Sequence, residues 1–454
     1  MNAREFADQI CSKLRDAGHL AYLVGGCVRD ILLEREPEDY DVTTDATPEQ
    51  VEALFPHTID VGAKFGVTIV MEDSKDPDAA QVEVATFRSD TSYSDGRHPD
   101  AVVYSKTPQE DVARRDFTIN ALLIDPRNDE VLDFVGGRDD LSAGVIRAIG
   151  EPERRFEEDK LRMLRAVRFA ARFGYTIEPR TLAAIKKLAA KIHQVSAERV
   201  RDELTKILTE GAARRGFELL DETGLLEQVL PEISRMKGVQ QPPQFHPEGD
   251  VWIHTLLMLE GLPAGTPSTL GWGVLLHDVG KPPTFAPPTG PNGRIRFDRH
   301  VEVGVKMAEE IERRLRFSNE DADQINALVN NHMRFKDVPV MKPATLKRFA
   351  RLDRFDEHLA LHRLDCLSSH RNLENYDAMK KFLAETPPEL VAPPRFLTGK
   401  DLIEMGFRPG PRFKEILNAV EDAQLNGAVE GREAAERFVV EQYGRPTAEG
   451  LPSK

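Results

Sequence analysis

Near Pro152 the chain passes from short strand-like runs to unbroken helical periodicity, and this switch limits the available folds more than any other feature. Residues 20–147 read as α/β. Ala21–Val24, Thr68–Met71, Gln81–Thr86 and Ala121–Ile124 are short, partly β-branched and bounded by polar or glycine turns, as strands are. Thr47 predicts a helix start, with Pro48 suited to the first turn and Gln50 at the capping-box position. From Pro152 to Glu232 the pattern is wholly helical, and residues 233–250, bearing Pro and Gln, predict a connector. A second helical region covers 251–385, broken by a surface loop at Lys281–Gly293, where Pro and Gly dominate. Thr386–Pro394 predicts a linker before a helical tail. The order implies a multidomain chain, one α/β region followed by all-α regions. Its 454 residues also exceed what one core usually organises.

Charged residues make up 30% and hydrophobic ones 40%, as in a soluble globular protein, and no apolar run is long enough to cross a bilayer. Phe6, Ile10 and Leu14 recur every four residues, which predicts an amphipathic N-terminal helix and not a signal peptide. Cys11, Cys27 and Cys366 include no CxxC pair, so reduced thiols and a cytoplasmic location are expected. The net charge of −15 repels a phosphate backbone, so contact with nucleic acid would need a local basic surface.

The first chemical constellation follows the first predicted strand. Leu23-Val24-Gly25-Gly26-Cys27-Val28-Arg29-Asp30 places paired glycines between a strand and a helical stretch, where backbone N–H groups can approach a triphosphate. Thirteen residues after Gly26 comes Asp39-Tyr40-Asp41. On a strand these two aspartates would face one side, and carboxylates that close repel unless a cation sits between them. Hard oxygen ligands suit Mg2+. Further on, Arg114-Arg115-Asp116 reads either as a charged cap or as a triphosphate and ribose contact. In Glu158-Asp159-Lys160-Leu161-Arg162-Met163-Leu164-Arg165-Ala166-Val167-Arg168, helical spacing puts Asp159, Arg162 and Arg165 on one face. That is an ordinary amphipathic helix with an i, i+3 ion pair, or a donor–acceptor array able to read a base edge.

Together these segments resemble the class II tRNA nucleotidyltransferase and poly(A) polymerase family. The signatures are Gly25-Gly26-x-x-Arg29-Asp30, Asp39-x-Asp41, Arg114-Arg115-Asp116 and Glu158-Asp159-x-x-Arg162, with Glu198-Arg199-Val200-Arg201-Asp202-Glu203 as a further similar segment. The resemblance implies a nucleotidyltransferase palm over 1–147 and a base-reading, RNA-binding helical neck over 148–232. A helical domain over 233–385 and a helical tail over 386–454 would follow. It implies metal ligation by Asp39 and Asp41, and nucleotide contacts from Gly26, Arg29 and Arg115. Asp159 and Arg162 would act as an amino-acid template for the C or A base, with Arg165 and Arg168 nearby. Glu83 is a candidate third carboxylate.

The second constellation is scattered: His254, His277-Asp278, His300, His332 and Asp365. Its order resembles the HD superfamily of metal-dependent phosphohydrolases, with ligands at His254, His277, Asp278 and Asp365, and with His300 and His332 matching sites that hold a second metal. Imidazole and carboxylate ligands accept Mg2+ or several divalent transition metals.

The leading reading is therefore addition of C, C and then A to the 3′ end of tRNA from CTP and ATP, with an HD phosphohydrolase side activity. No membrane or obligate protein partner is expected. The rivals are an A-adding enzyme or poly(A) polymerase and, from a different class, an HD phosphohydrolase whose palm only binds nucleotide or RNA. The polar, glycine-bearing stretch Phe87 to Asp111 resembles the flexible loop of enzymes able to add A, which disfavours an enzyme adding only CC. Basic clusters at Arg162, Arg165, Arg168 and Arg172, at Lys186, Lys187 and Lys191, at Lys342, Lys347, Arg348, Arg351 and Arg354, and at Arg408, Arg412 and Lys414 are either solvated faces or the RNA-binding surface.

Overall fold

The computed structural model describes residues 2–62, 66–73, 79–90, 102–289 and 293–444. Two compact units emerge. One comprises Met1–Lys237, Leu259–Gly271 and Glu310–Phe317, and the other Gly238–Met258, Trp272–Glu309 and Ser318–Lys454.

The first unit opens with the helix Ala3–Asp16, capped by Asn2 and Glu5, which buries Phe6, Ile10 and Leu14 along the expected stripe. Among the strands that follow are β1 (Ala21–Val24), β2 (Asp41–Thr44), β3 (Thr58–Gly62), β4 (Val67–Met71), β5 (Gln81–Thr86), β6 (Arg88–Asp90), β7 (Val102–Tyr104), β8 (Leu123–Asp125) and β9 (Glu130–Leu132). Seven of them form one sheet in the order β3-β4-β5-β2-β1-β8-β9, and β6 pairs with β7. The sheet is mixed. β1 and β2 are antiparallel, whereas β2 and β5 are parallel, so Val24, Asp41 and Glu83 lie side by side across three strands. Thr47, Pro48 and Gln50 start the helix Pro48–Leu54 as their chemistry predicts, with Gln50 accepting from the Thr47 N–H at 2.9 Å.

Two predicted strand positions move. Asp39 precedes β2, which begins at Asp41. The strand expected at Ala121–Ile124 starts two residues later, because Thr118–Asn120 form a 3-10 turn. Side-chain bonds from Thr118 to Asp140 and between Asn120 and Asp116 hold that turn.

Helices then dominate, as expected: Pro152–Glu158, Leu161–Phe173, Pro179–Leu188, Ala197–Thr209 and Ala213–Glu222 build the rest of this unit's core. Within the second unit, the expected loop at Lys281–Gly293 is only partly a loop. Pro282 and Pro283 occupy the first turn of a short helix, Lys281–Thr284, where proline is tolerated, and Phe285–Ala286 pairs with Arg296–Phe297. The tail packs Leu402, Ile416, Val420 and Val439 into its own core. Among the described residues no helix is long and apolar enough to cross a membrane. The three cysteines are buried free thiols.

Candidate functional site

At the end of β1, Gly25 adopts a φ of +81°, which favours glycine, and a Cβ there would lie 3.5 Å from Arg115 Nη1 and 3.7 Å from Asp41 Oδ2. The glycine turn thus rests against one cation and one carboxylate. Burial raises the Asp41 carboxyl, and the neighbouring Asp39 and Glu83 carboxylates raise it further, to about 7 despite Arg115. A buried carboxylate with two further carboxylates near enough to raise it suits a divalent cation. Arg115 is anchored by the fully buried Asp111 at 3.1 Å, and Arg114 meets the same carboxylate at 2.7 Å. Arg29 is buried. Its guanidinium bonds Asp30 and Asn120 and lies over the Phe173 ring, so in this structure it supports the turn from behind.

The predicted base-reading face differs from the sequence expectation. Asp159 is not on the helix with Arg162, which starts at Leu161, and the i, i+3 ion pair is not formed. Asp159 instead accepts the Leu161 N–H at 3.0 Å and takes two bonds from Arg199, at 2.8 and 3.3 Å. Arg162 reaches the Arg114 carbonyl at 2.9 Å and Glu158 at 3.3 Å. Behind them runs a chain of buried charge: Asp116–Arg165 at 2.7 Å, Arg165–Glu203 at 3.8 Å, Arg168–Glu203 at 2.7 Å and Arg168–Glu210 at 3.1 Å. Burial would raise Asp116, but Arg165 and Arg162 outweigh it and hold the carboxyl below its ordinary range. The sequence reading gave Asp111, Arg199, Glu203 and Glu210 no role. Only Arg199 and Glu203, inside the family-like segment from Glu198, carried a signal.

The other expected basic surfaces are largely matched by carboxylates. Lys186, Lys187 and Lys191 pair with Glu222, Glu153 and Glu157, and Arg172 with Glu210. Arg348 pairs with Glu421 and Asp422, Arg351 with Glu421, and Arg354 with Glu320. Arg412 donates to the Tyr443 carbonyl. The Ser94-Asp95-Gly96-Arg97 stretch lies outside the described residues.

In the second unit four histidines converge with a common logic. Nδ1 of His277, His300 and His332 lies 2.7–2.9 Å from the backbone carbonyls of Val274, Phe297 and Val329, and a carbonyl can only accept. Their protons are therefore fixed on Nδ1. His254 Nδ1 is likewise turned to Glu248, at 2.7 Å. All four Nε2 atoms are buried, and those of His300 and His332 have no hydrogen-bond partner. They gather around Asp278, whose Oδ2 lies 3.1 Å from His277 Nε2, while Oδ1 lies 3.9 and 3.8 Å from His300 and His332 Nε2. Asp365 Oδ1 sits 3.3 Å from His254 Nε2. Two metal-sized groups result, His254–His277–Asp278 and Asp278–His300–His332, sharing one carboxylate. Converging lone pairs of this kind fit divalent metal ions.

Sequence reasoning missed the residues that orient this set. Glu248 accepts from both His254 and His246, fixing the His254 ring as carboxylates commonly do behind metal-binding histidines. Lys281, buried, meets Asp278 at 2.6 Å and donates to Gln241 at 2.6 Å. Gln241, His246 and Glu248 all lie in the segment expected only to connect. Gly280 carries a different constraint: a Cβ there would fall 2.1 Å from the His300 carbonyl oxygen and 2.6 Å from the Gly304 nitrogen.

Comparison with known proteins places these features in context. Residues 21–147 match the poly A polymerase head domain, 174–237 a probable RNA and SrmB-binding site of polymerase A, and 250–359 the HD domain. The CCA-adding enzyme of Lactobacillus helveticus is 30% identical over 442 residues, covering 95% of both chains. That of Bacillus subtilis is 44% identical over 216 residues, 48% of this chain and 53% of the relative. The solved Bacillus stearothermophilus CCA-adding enzyme in complex with CTP is 28% identical, with a TM-score of 0.71 over 97% of this chain and 98% of that one. The Thermotoga maritima CCA-adding enzyme complexed with tRNA shares the fold at 20% identity and a TM-score of 0.57, covering 97% and 96%.

Proposed function

The chain belongs to the family of CCA-adding enzymes, and from that membership we propose that it extends the 3′ end of tRNA by C, C and A, using CTP and ATP, in the cytoplasm. One observation carries the reading. The buried Asp41 carboxylate lies beside Arg115 and the Gly25 turn, with Asp39 and Glu83 near enough to raise it, an arrangement suited to a metal-bound triphosphate.

Asp39 and Asp41 would hold Mg2+, with Glu83 beside them. Bound there, Mg2+ supplies positive charge that acidifies the RNA 3′-hydroxyl and neutralises departing pyrophosphate. The chain's own residues position the reactants, the larger part of phosphoryl-transfer catalysis. Gly26 begins a helix whose N–H groups face the nucleotide, and Arg115, held by Asp111, meets its phosphates. Arg29 acts through the glycine turn. Asp159 and Arg162 choose the base, Arg199 positions Asp159, and Arg165 and Arg168 fix the helix that carries Arg162. We assign residues 1–147 to the palm, 148–232 to the neck, 233–385 to the HD domain and 386–454 to the tail.

The unpartnered Nε2 atoms favour a second activity in the same chain: hydrolysis of phosphate esters at an HD centre holding Mg2+ or a transition metal through His254, His277, Asp278 and Asp365, with His300 and His332 toward a second ion. Terminal or 2′,3′-cyclic phosphates on damaged tRNA ends are fitting substrates, because they block the hydroxyl that the palm extends.

Purified protein incubated with tRNA lacking CCA and with labelled CTP or ATP tests the main reading. C should enter from CTP alone, and a single A only after two C residues. Repeated A addition would make the chain a poly(A) polymerase, and A without C an A-adding enzyme.

A further inference from the structure

Beside the HD centre lies a cleft of about 460 Å3 whose walls include His332 and Asp365 of that centre. The volume is within the range of small-ligand sites and holds one nucleotide. Two features of the remaining wall have no structural necessity. Phe245, on the turn that also delivers His246 and Glu248 to His254, leaves half of its ring exposed to the cleft. Lys336 is exposed at the same cleft, and no carboxylate pairs with it among the described residues.

The 3-10 helix His332–Val340 explains where Lys336 points. With three residues per turn, His332, Phe335 and Val338 are buried as one row, and Met333 and Lys336 form the next row, lining the cleft. His332, whose buried Nε2 turns toward Asp278 of the HD centre, lines one part of the cleft. The Lys336 ammonium on this wall attracts the phosphate of an ester that reaches the HD centre, and a flat apolar group on the same ligand has the Phe245 ring to lie against. A phosphate joined through a sugar to a base has this shape and chemistry.

We propose that Phe245 and Lys336 are the specificity-determining residues of the HD centre, and that the cleft admits a nucleoside 3′-phosphate with its base stacked on Phe245 and a non-bridging phosphate oxygen paired with Lys336. The proposal rests on the reading of the HD centre as a phosphohydrolase. In the reaction a water oxygen forms the new bond to phosphorus, the bond from phosphorus to O3′ breaks, and a water proton passes to O3′. A free 3′-hydroxyl and inorganic phosphate result. The nucleotide can be free or the last residue of an RNA strand.

The test is equilibrium binding to the full-length chain in EDTA, by calorimetry, of 3′-AMP, adenosine, inorganic phosphate and a short RNA ending in a 3′-phosphate. Phe245→Ala should weaken 3′-AMP by roughly tenfold or more, the usual worth of base stacking on an aromatic ring, and leave inorganic phosphate unchanged. Lys336→Ala should weaken both, and Lys336→Arg should restore them. RNA binding that is tighter than 3′-AMP and weakened by Phe245→Ala identifies a strand end as the ligand, and equal binding a free nucleotide. Absence of 3′-AMP binding by the wild type, or Phe245→Ala and Lys336→Ala binding as the wild type does, overturns the proposal. Phosphate release is measured separately with Mg2+, Mn2+ and Ni2+. Selective binding without release under any metal sinks the phosphohydrolase reading and leaves the assignment of the cleft standing.

Discussion

Glu203 is the most informative residue to remove, because it lies behind the helix that carries Arg162 and contacts no expected substrate group. Its carboxylate, 4% exposed, bonds Arg168 Nε at 2.7 Å and lies 3.8 Å from Arg165. Removing one partner of a buried pair costs about 3–5 kcal/mol when the other charge is left alone. Arg168 keeps Glu210 at 3.1 Å and Arg165 keeps Asp116 at 2.7 Å, so neither is fully stranded. For Glu203→Ala the expectation falls to about 2–3 kcal/mol. Glu203→Gln keeps an acceptor and should lose about half of that. Amide exchange along Leu161–Phe173 and Ala197–Thr209 reads this locally, and ~2–3 kcal/mol corresponds to roughly thirty- to more than a hundredfold faster exchange. A double substitution, Glu203→Leu with Arg168→Met, should cost less than the sum of the singles, because it removes both charges together. Additive costs, or a Glu203→Ala penalty below about 1 kcal/mol, would show that the charge chain is not what secures this helix.

Asp41→Ala should abolish nucleotide incorporation while circular dichroism and tRNA binding stay close to wild type; normal incorporation would refute the metal assignment. The Asp41 carboxyl titrates near 7 when folded and near its ordinary 3.8 when unfolded, so the folded metal-free protein holds the extra proton between those values and loses this group's contribution as pH rises through them. Mg2+ must displace that proton, so its affinity at the palm should rise from about pH 6 to pH 8, and equal affinities measured by titration would contradict the crowded-carboxylate picture. Replacing Asp159 or Arg162 by Ala should relax discrimination against UTP and GTP by ~1–3 kcal/mol in competitive incorporation assays, and unchanged selectivity would reduce them to structural ion-pairing residues. Asp278→Ala should remove any release of phosphate from 2′,3′-cyclic AMP and empty the centre of metal by elemental analysis, while CCA addition survives.

The parts of this molecule legible in its sequence are those where chemistry is local. Thr47, Pro48 and Gln50 announce a helix start because all three act within one turn, and the Phe6, Ile10 and Leu14 stripe needs only helical spacing. Glu83 was legible as a candidate, but only the parallel register of β2 and β5 puts it beside Asp41. The pairing of Asp159 with Arg199 was not legible: a sequence neighbour three positions away, Arg162, offered a simpler partner, and nothing local says that a residue forty positions on will take its place. The extent to which the basic clusters are paired was not legible for the same reason, since the carboxylates that match them come from distant helices. In the segment 233–250, Pro and Gln disguised Gln241, His246 and Glu248, whose tasks depend on where the histidines fold to.

Gly280 shows a constraint of another kind. Its φ of −81° is one that any residue adopts, so no rule about turns calls for glycine here. What excludes a side chain is the backbone of the His300 helix lying where the first carbon would go. The gap between Asp278 and His300, and with it the reach of the proposed second ion position, therefore depends on a missing methyl group. Substitution here would act as a spacer between two proposed ligands that both remain chemically intact, so a damaged centre could carry a complete set of ligands and still be unable to close them around an ion.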